Sequence, residues 1–266
     1  MNTTSAVETF RGHAMPTGWT VDPLTTDVFA ALATVKDPEL DEPITELGFV
    51  RSVAIDPRGV TVHLRLPTSF CSPNFAYLMA SDAQDALTRV SGIGRVQVFL
   101  DDHHDSDKIN AGLAACAGYV GTFGHEAEES LEELRETFRH KAHTAAMERA
   151  CMLLLASDER PQFTTVEDLA SLRIRHLLPG RERDALLRRR AEIGLPIGPD
   201  DPVLVDGAGR AVPPAEAPMR LRFARAVRVS VEGNAHFCRG LLATRYADTD
   251  DPASLTTRIT NTRRDS

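Results

Sequence analysis

Residues 60–90 read VTVHLRLPTSFCSPNFAYLMASDAQDALTRV and place a strand, a turn with one cysteine and a helix in succession. Apolar residues alternate with polar ones in the first part, which predicts a strand with one buried face over residues 60–66. A helix is predicted over residues 75–90, so Cys71 lies at the N-terminus of a helix. Unpaired N–H groups and the positive end of the helix dipole favour a thiolate there.

The elements around this stretch predict a small sheet. Residues 50–55 form a second strand that pairs with the first through the turn Asp56-Pro57-Arg58-Gly59. A third strand is predicted over residues 95–100 and a preceding helix over residues 27–35. The expected fold class is α+β, a small mixed sheet with helices on one face, in a domain at residues 23–102.

The remainder of the chain has a different pattern and is expected to form a helical-then-β region at residues 107–246. Apolar residues recur at three- and four-residue steps over residues 126–156, which predicts the longest helix. Residues 221–231 alternate between apolar and other residues, which predicts a strand. The polar segments 1–22 and 247–266 are expected to be flexible termini. The pattern leaves open whether residues 107–246 fold independently.

The composition limits the function classes. The chain has 266 residues, of which 42% are hydrophobic and 26% charged, with a net charge of −8. An acidic surface argues against non-specific binding to nucleic acid or to anionic membranes. We find no pattern of a signal peptide, and the longest apolar run, residues 150–156, is too short to span a bilayer. The expected location is the cytoplasm.

The four cysteines, Cys71, Cys116, Cys151 and Cys238, are far apart in the sequence. Zinc and iron–sulfur sites usually take their ligands in close sequence pairs, so no self-contained cluster site is visible. Any metal ligands must therefore converge from distant segments or from a second copy of the chain. The alternative is that the cysteines are ordinary reduced thiols.

Four motifs in this order resemble those of the metal-sulfur cluster biosynthesis family, which includes PaaD-like and SufT-like accessory proteins. They are Asp37-Pro38-Glu39, Glu46-Leu47-Gly48-Phe49-Val50, Cys71 between strand and helix, and Gly92-Ile93-Gly94-Arg95-Val96-Gln97-Val98. The resemblance covers roughly residues 25–101. Two positions depart from the family pattern: its Asp-Leu-Gly is Glu46-Leu47-Gly48 here, and its Cys-Pro is spread into Cys71-Ser72-Pro73.

The resemblance implies an accessory factor for metalloenzyme maturation. Cys71 falls on the functional cysteine of the family, and Asp37 and Glu39 fall in its acidic turn. These residues would hold iron or an iron–sulfur cluster transiently and deliver it to a client apoprotein, with Asp37 and Glu39 helping to shape the thiol site. The alternative for Asp37 is that it only terminates the preceding helix. Family members with added C-terminal regions resemble proteins encoded beside bacterial multicomponent di-iron monooxygenases, so an oxygenase component is the expected client. A single cysteine per chain also favours a bridging homodimer.

Several alternatives stay open at the level of sequence. His236 and Cys238 would point the same way in an extended segment and could address one metal ion with Cys71, although two ligands from one segment do not make a site. The polar residues 101–105 are expected to be solvated surface. Pattern alone favours a structural role for Cys71. The rival function is a non-catalytic assembly or interaction subunit without a metal. We expect no enzymatic activity, because a thiol-dependent enzyme would need a base that the sequence does not reveal near Cys71.

Overall fold

The computed structural model describes residues 7–10, 22–127, 131–247 and 257–263. Its strands are β1 (Val7–Phe10), β2 (Val50–Asp56), β3 (Gly59–Leu64), β4 (Arg95–Leu100) and β5 (Thr257–Asn261). Its α-helices are α1 (Pro23–Leu32), α2 (Pro73–Thr88), α3 (Ser106–Ala114), α4 (Gly118–Phe123), α5 (Leu131–Leu155), α6 (Arg181–Glu192) and α7 (Ala217–Arg245). Short 3₁₀ turns occupy Gly124–Glu126, Glu167–Ser171, Ile174–His176 and Pro214–Glu216.

The five strands form one mixed sheet in the order β1-β5-β2-β3-β4. β2 pairs antiparallel with β3. β3 pairs parallel with β4, and α2 connects these two strands in the sequence. β5 pairs parallel with β2 and antiparallel with β1. The predicted α+β class, with a small mixed sheet followed by a helical region that ends in a strand, is confirmed.

The chain divides into two compact units, residues 1–131 with 235–266 and residues 132–234. In the first unit, the apolar side chains of β2 and β3 pack with those of α1 and α2 in one core. Representative members of this core are Val28, Leu32, Val53, Val62, Leu64 and Leu87. The second unit has its own core, built from α5, α6 and the first part of α7, and it includes Met147, Leu154, Leu186 and Leu221.

This division differs from the predicted boundary between residues 102 and 107. Ile109, Leu113 and Phe123 bury their side chains in the core of the first unit, so α3 and α4 belong to it. Leu242 and Tyr246, near the C-terminal end of α7, enter the same core. The first unit is therefore completed by residues that follow the second unit in the sequence.

The predicted strand over residues 221–231 is wrong, because this segment lies within the 29-residue helix α7. The buried residues there are Ala217, Leu221 and Ala224, which recur at helical spacing. Phe223 and Val229, two members of the apparent alternation, are exposed. The apolar alternation therefore did not mark a buried face.

The expectation of flexible termini is also wrong in part. Residues 257–261 form β5, which extends the sheet next to β2, and residues 7–10 form β1. Thr257 and Ile259 of β5 are buried. A polar, Thr-rich segment forms a strand here because the exposed edge of β2 supplies backbone hydrogen-bond partners. The remaining residues of both predicted termini lie outside the described residues, except 22, 247, 262 and 263.

Candidate functional site around Cys71

Cys71 lies on a turn after β3 and two residues before the first residue of α2, Pro73. Its side chain is half-buried, and its Sγ lies 3.5 Å from the Oγ1 of Thr68. Ser72 is the N-cap residue of α2, but its side chain makes no capping hydrogen bond to the helix backbone. The predicted placement of the thiol between a strand and a helix N-terminus is confirmed.

His103 holds the backbone of this turn. The side chain of His103 is buried, and its Nε2 lies 2.8 Å from the carbonyl oxygen of Cys71. Its Nδ1 accepts a hydrogen bond of 3.0 Å from the backbone N–H of Asp105. Because Nδ1 is the acceptor, the proton of the neutral ring is on Nε2, which therefore donates to Cys71. The prediction that residues 101–105 are only solvated surface is wrong for His103.

Arg245, at the end of α7, holds the same turn from another side. Its guanidinium donates to the carbonyl oxygen of Leu66 at 3.0 Å and to the Oγ of Ser69 at 2.8 Å, and it also donates to the carbonyl oxygen of Asp102. Arg245 is separated from Ser69 by 176 residues in the sequence. No local pattern around either residue points to the other, so sequence reasoning missed this contact.

Asp37 forms a buried acidic turn in the first unit. Its Oδ1 accepts hydrogen bonds of 2.9 Å from the backbone N–H groups of Glu39 and Leu40. Burial nevertheless raises the pKa of Asp37 to about 6, and the nearby negative charge of Glu39 acts in the same direction. The carboxyl group is therefore mostly ionised at neutral pH, and it gains a proton under mildly acidic conditions.

Cys238, on the part of α7 that belongs to the first unit, lies near this acidic turn. Burial raises the pKa of its thiol to about 11, and the negative charges of Asp37, Cys71 and Glu39 contribute to the shift. Both Cys71 and Cys238 are partly buried against the same apolar core. The fold thus brings together four predicted site residues that span about 200 positions of the sequence: two thiols and two carboxylates.

The predicted pairing of His236 with Cys238 is wrong. The two residues lie on a helix, not on an extended segment, and side chains two positions apart on a helix do not face each other. His236 is exposed, whereas Cys238 is half-buried. Within the described ranges, no group of three His, Cys, Asp or Glu side chains is placed to hold a metal ion. In these ranges, the side chains of one chain therefore do not complete a metal site by themselves.

The other two cysteines are outside this site. Cys151 is fully buried in the second unit, where burial raises the pKa of its thiol to about 12. Cys116 is exposed after α3 and adopts a left-handed backbone conformation with φ of 50°. None of the four cysteines forms a disulfide. None of the helices in the described ranges has an apolar stretch long enough to cross a bilayer.

A comparison with known protein families matches the part of the chain that carries Cys71. A family model described as iron-sulfur cluster assembly protein matches residues 25–98. An uncharacterized protein of Methanocaldococcus jannaschii is 33% identical over 85 residues, which cover 32% of this chain and 87% of that protein. An iron-sulfur cluster carrier protein of Mycobacterium leprae is 38% identical over 82 residues, 30% of this chain, and the match spans only 21% of that protein. No solved structure matches the chain.

Proposed function

Because the chain belongs to the iron-sulfur cluster assembly protein family through residues 25–98, we propose that it binds iron or an iron–sulfur species transiently and delivers it to a client apoprotein. The observation that carries the proposal is the pair formed by Cys71 on its braced turn and Cys238 close to it. Soft thiolate ligands suit iron–sulfur species. The iron or cluster is cargo in this proposal, not a resident cofactor.

An incomplete ligand set supports delivery more than storage. An iron–sulfur cluster is usually held by four cysteine thiolates, and full closure by one protein opposes release. Cys71 and Cys238 supply two, so the remaining positions would be filled by a second copy of this chain or by the client. A homodimer would contribute four thiolates in total. Ligands of the client could then replace those of the partner copy one at a time.

Because the thiol of Cys238 is protonated, the binding of iron or an iron–sulfur species would depend on pH. With its pKa raised to about 11, this thiol is protonated at neutral pH and must lose the proton when it binds a metal. Binding therefore releases a proton and becomes tighter as the pH rises toward 9. Asp37 and Glu39 would act on this step through their charges, as neighbours of the thiols and not as metal ligands.

Anaerobic reconstitution with ferrous iron and sulfide tests the proposal. We expect the full chain to bind iron with a thiolate-to-iron charge-transfer band, and we expect Cys71→Ser and Cys238→Ser each to lose most of this band. Cys116→Ser is the matched control, because Cys116 is exposed and lies outside the site. Equal iron and sulfide content in wild type and Cys71→Ser would contradict the proposal.

The client is proposed to be an iron-containing component of a bacterial multicomponent monooxygenase. Support comes from the presence of a long region after residue 101, since family members with added C-terminal regions resemble proteins encoded beside such enzymes. We place the transfer in the cytoplasm, where the thiols of the protein stay reduced, and we propose no catalytic turnover. Cells that contain wild type, Cys71→Ala or no protein should be compared for the metal content and the activity of the oxygenase.

A second candidate function is a scaffold that binds the client without carrying metal. It is favoured by the several contacts that brace the Cys71 turn, since a rigid turn can also serve as a docking surface. The cellular comparison separates the two functions. A Cys71→Ala protein that restores the oxygenase as well as wild type supports the scaffold and contradicts the carrier, whereas failure of a folded Cys71→Ala protein supports the carrier.

A further inference from the structure

The second unit contains a cavity of about 580 Å³, a volume within the range of small-molecule sites. Apolar side chains form part of its lining, among them Leu195 between α6 and α7 and Phe223 and Val227 on α7. His143 of α5 and Arg220 of α7 line the same cavity. An apolar wall combined with a few convergent polar groups is typical of binding sites for small organic molecules.

His143, one of the lining residues, carries an unpartnered polar atom. Its side chain is 2% exposed, and its Nε2 is buried without a hydrogen-bond partner among the described residues. Burial lowers the pKa of His143 to about 3, and the positive charges of Arg190 and Arg220 act in the same direction. The ring is therefore neutral at physiological pH and has one N–H group to donate. A buried donor without an acceptor costs about 1–3 kcal/mol.

Arg190, whose charge acts on His143, is also incompletely hydrogen-bonded. Arg190 of α6 is fully buried, and only its Nε donates a described hydrogen bond, at 2.8 Å to the carbonyl oxygen of Pro196. Both of its terminal nitrogens are buried without a partner among the described residues. Arg220 uses its Nε to donate to the carbonyl oxygen of Val205 at 2.7 Å. The negative charge of Asp201 acts on Arg190 and that of Asp206 on Arg220, and a bound anion would add to this compensation of buried positive charge.

We propose that this cavity binds a small organic monocarboxylate, with its apolar body against Phe223 and Val227 and its carboxylate toward Arg220 and His143. The apolar wall favours an organic ion over an inorganic one. Glu133, Glu136 and Asp206 also line the cavity, so a dianion such as phosphate would be repelled more strongly than a monocarboxylate. Arg190 does not line the cavity and would contribute only through its charge. The site is independent of the Cys71 site and does not rest on the proposed function.

Calorimetric titration of the full chain with benzoate, benzyl alcohol and inorganic phosphate tests this inference. We expect benzoate to bind at least about tenfold more tightly than either benzyl alcohol or phosphate, in line with a charge-assisted hydrogen-bonded contact. Equal affinities for benzoate and benzyl alcohol would remove the role of the charge. Tighter binding of phosphate than of benzoate would overturn the proposed ligand class.

Arg220→Met and Arg222→Met form a matched pair of variants, since Arg222 is exposed on the same helix and does not line the cavity. We expect benzoate affinity to fall at least about tenfold in Arg220→Met and less than twofold in Arg222→Met. A similar loss in both variants contradicts a defined site. If Arg220→Met does not fold, the NMR amide chemical shifts of the wild type on addition of benzoate replace this test. We expect benzoate to perturb residues 140–144 and 193–195. Shifts confined to other regions would overturn the inference.

Discussion

The ring of His103 donates a hydrogen bond from Nε2 to the carbonyl oxygen of Cys71 at 2.8 Å, and its Nδ1 accepts from the backbone N–H of Asp105. One buried imidazole thus connects the loop after β4 to the turn that carries the thiol. The contact restrains the backbone of Cys71 and does not involve its sulfur. A fixed backbone lowers the conformational entropy lost when a metal species is bound.

We expect His103→Ala to destabilise the protein by about 1–3 kcal/mol, because the Cys71 carbonyl and the Asp105 amide both lose their partner. The amide hydrogens near Cys71 should also exchange faster. Denaturant unfolding and hydrogen exchange measure the two effects. His104→Ala is the control: His104 is exposed, and its backbone N–H keeps its bond to the carbonyl oxygen of Ser69. Equal behaviour of the two variants would contradict a bracing role for His103.

Competitive alkylation at pH 7.5 should label Cys71 at least about tenfold faster than Cys151, because the reactive species is the thiolate and it must be accessible. Cys71 is half-buried, whereas Cys151 is fully buried with its pKa raised to about 12. Cys238, with a pKa of about 11, should also react more slowly than Cys71. Exposed Cys116 serves as the internal standard. Mass spectrometry of labelled peptides gives the rates, and equal labelling of Cys71 and Cys151 contradicts the prediction.

Asp37→Asn should stabilise the protein at pH 7.5 by as much as about 3 kcal/mol, since it removes a buried charge and keeps an acceptor for the amides of Glu39 and Leu40. The folded-state pKa of about 6 lies above the unfolded value, so the folded protein holds the proton more tightly between about pH 4 and 6. Wild type therefore loses stability as the pH rises through this window, and the variant does not.

Unfolding by denaturant at pH 4, 6 and 7.5 measures this difference, which should vanish near pH 4 and be full at pH 7.5. Asp27→Asn is the matched control, because Asp27 is exposed on α1 and should change stability by less than about 0.5 kcal/mol. The loss of negative charge in Asp37→Asn should also lower the pKa of Cys238 and speed its alkylation. An Asp37→Asn protein that is less stable than wild type at pH 7.5 is incompatible with this account.

Arg245→Met should free the Cys71 turn from α7 and destabilise the protein by about 1–3 kcal/mol, because the Leu66 carbonyl and the Ser69 hydroxyl lose a charged donor. Iron binding in the reconstitution assay should weaken as well, since the turn is less restrained. Arg225→Met provides the comparison, because Arg225 is exposed on the same helix. If the Cys71 turn depends on α7, only Arg245→Met lowers both the stability and the iron binding. Equal effects of the two variants would contradict this dependence.

The strands and helices around Cys71 could be predicted because their signals are local. The alternation of Val60, Val62 and Leu64 places one face of β3 in the core, and it does so without reference to distant residues. The same rule failed for residues 221–231, where alanines and arginines favour a helix and the burial of Leu221 and Ala224 stabilises it. Short apolar alternation is ambiguous when a strong helix-forming composition accompanies it.

The sequence named candidate site residues but not how the fold arranges them. Asp37, Glu39 and Cys71 were identified through a resemblance, and the fold brings them near Cys238. His236 was wrongly included because an extended segment was expected where a helix forms. His103 was taken for surface, since a histidine in a polar segment has no pattern that reveals burial.

The sequence by itself determined the local elements of the first unit, the position of a thiol between a strand and a helix, and the acidic turn at Asp37. These features depend on residues within a few positions of one another, where steric preference and hydrophobic period act directly. Only the tertiary structure decided that α7 returns to the first unit, that Arg245 holds Ser69 across 176 residues, and that Cys238 approaches Cys71. The physical reason is that such contacts form when a shared core buries Leu242 and Tyr246, and burial in a core depends on every element that packs there.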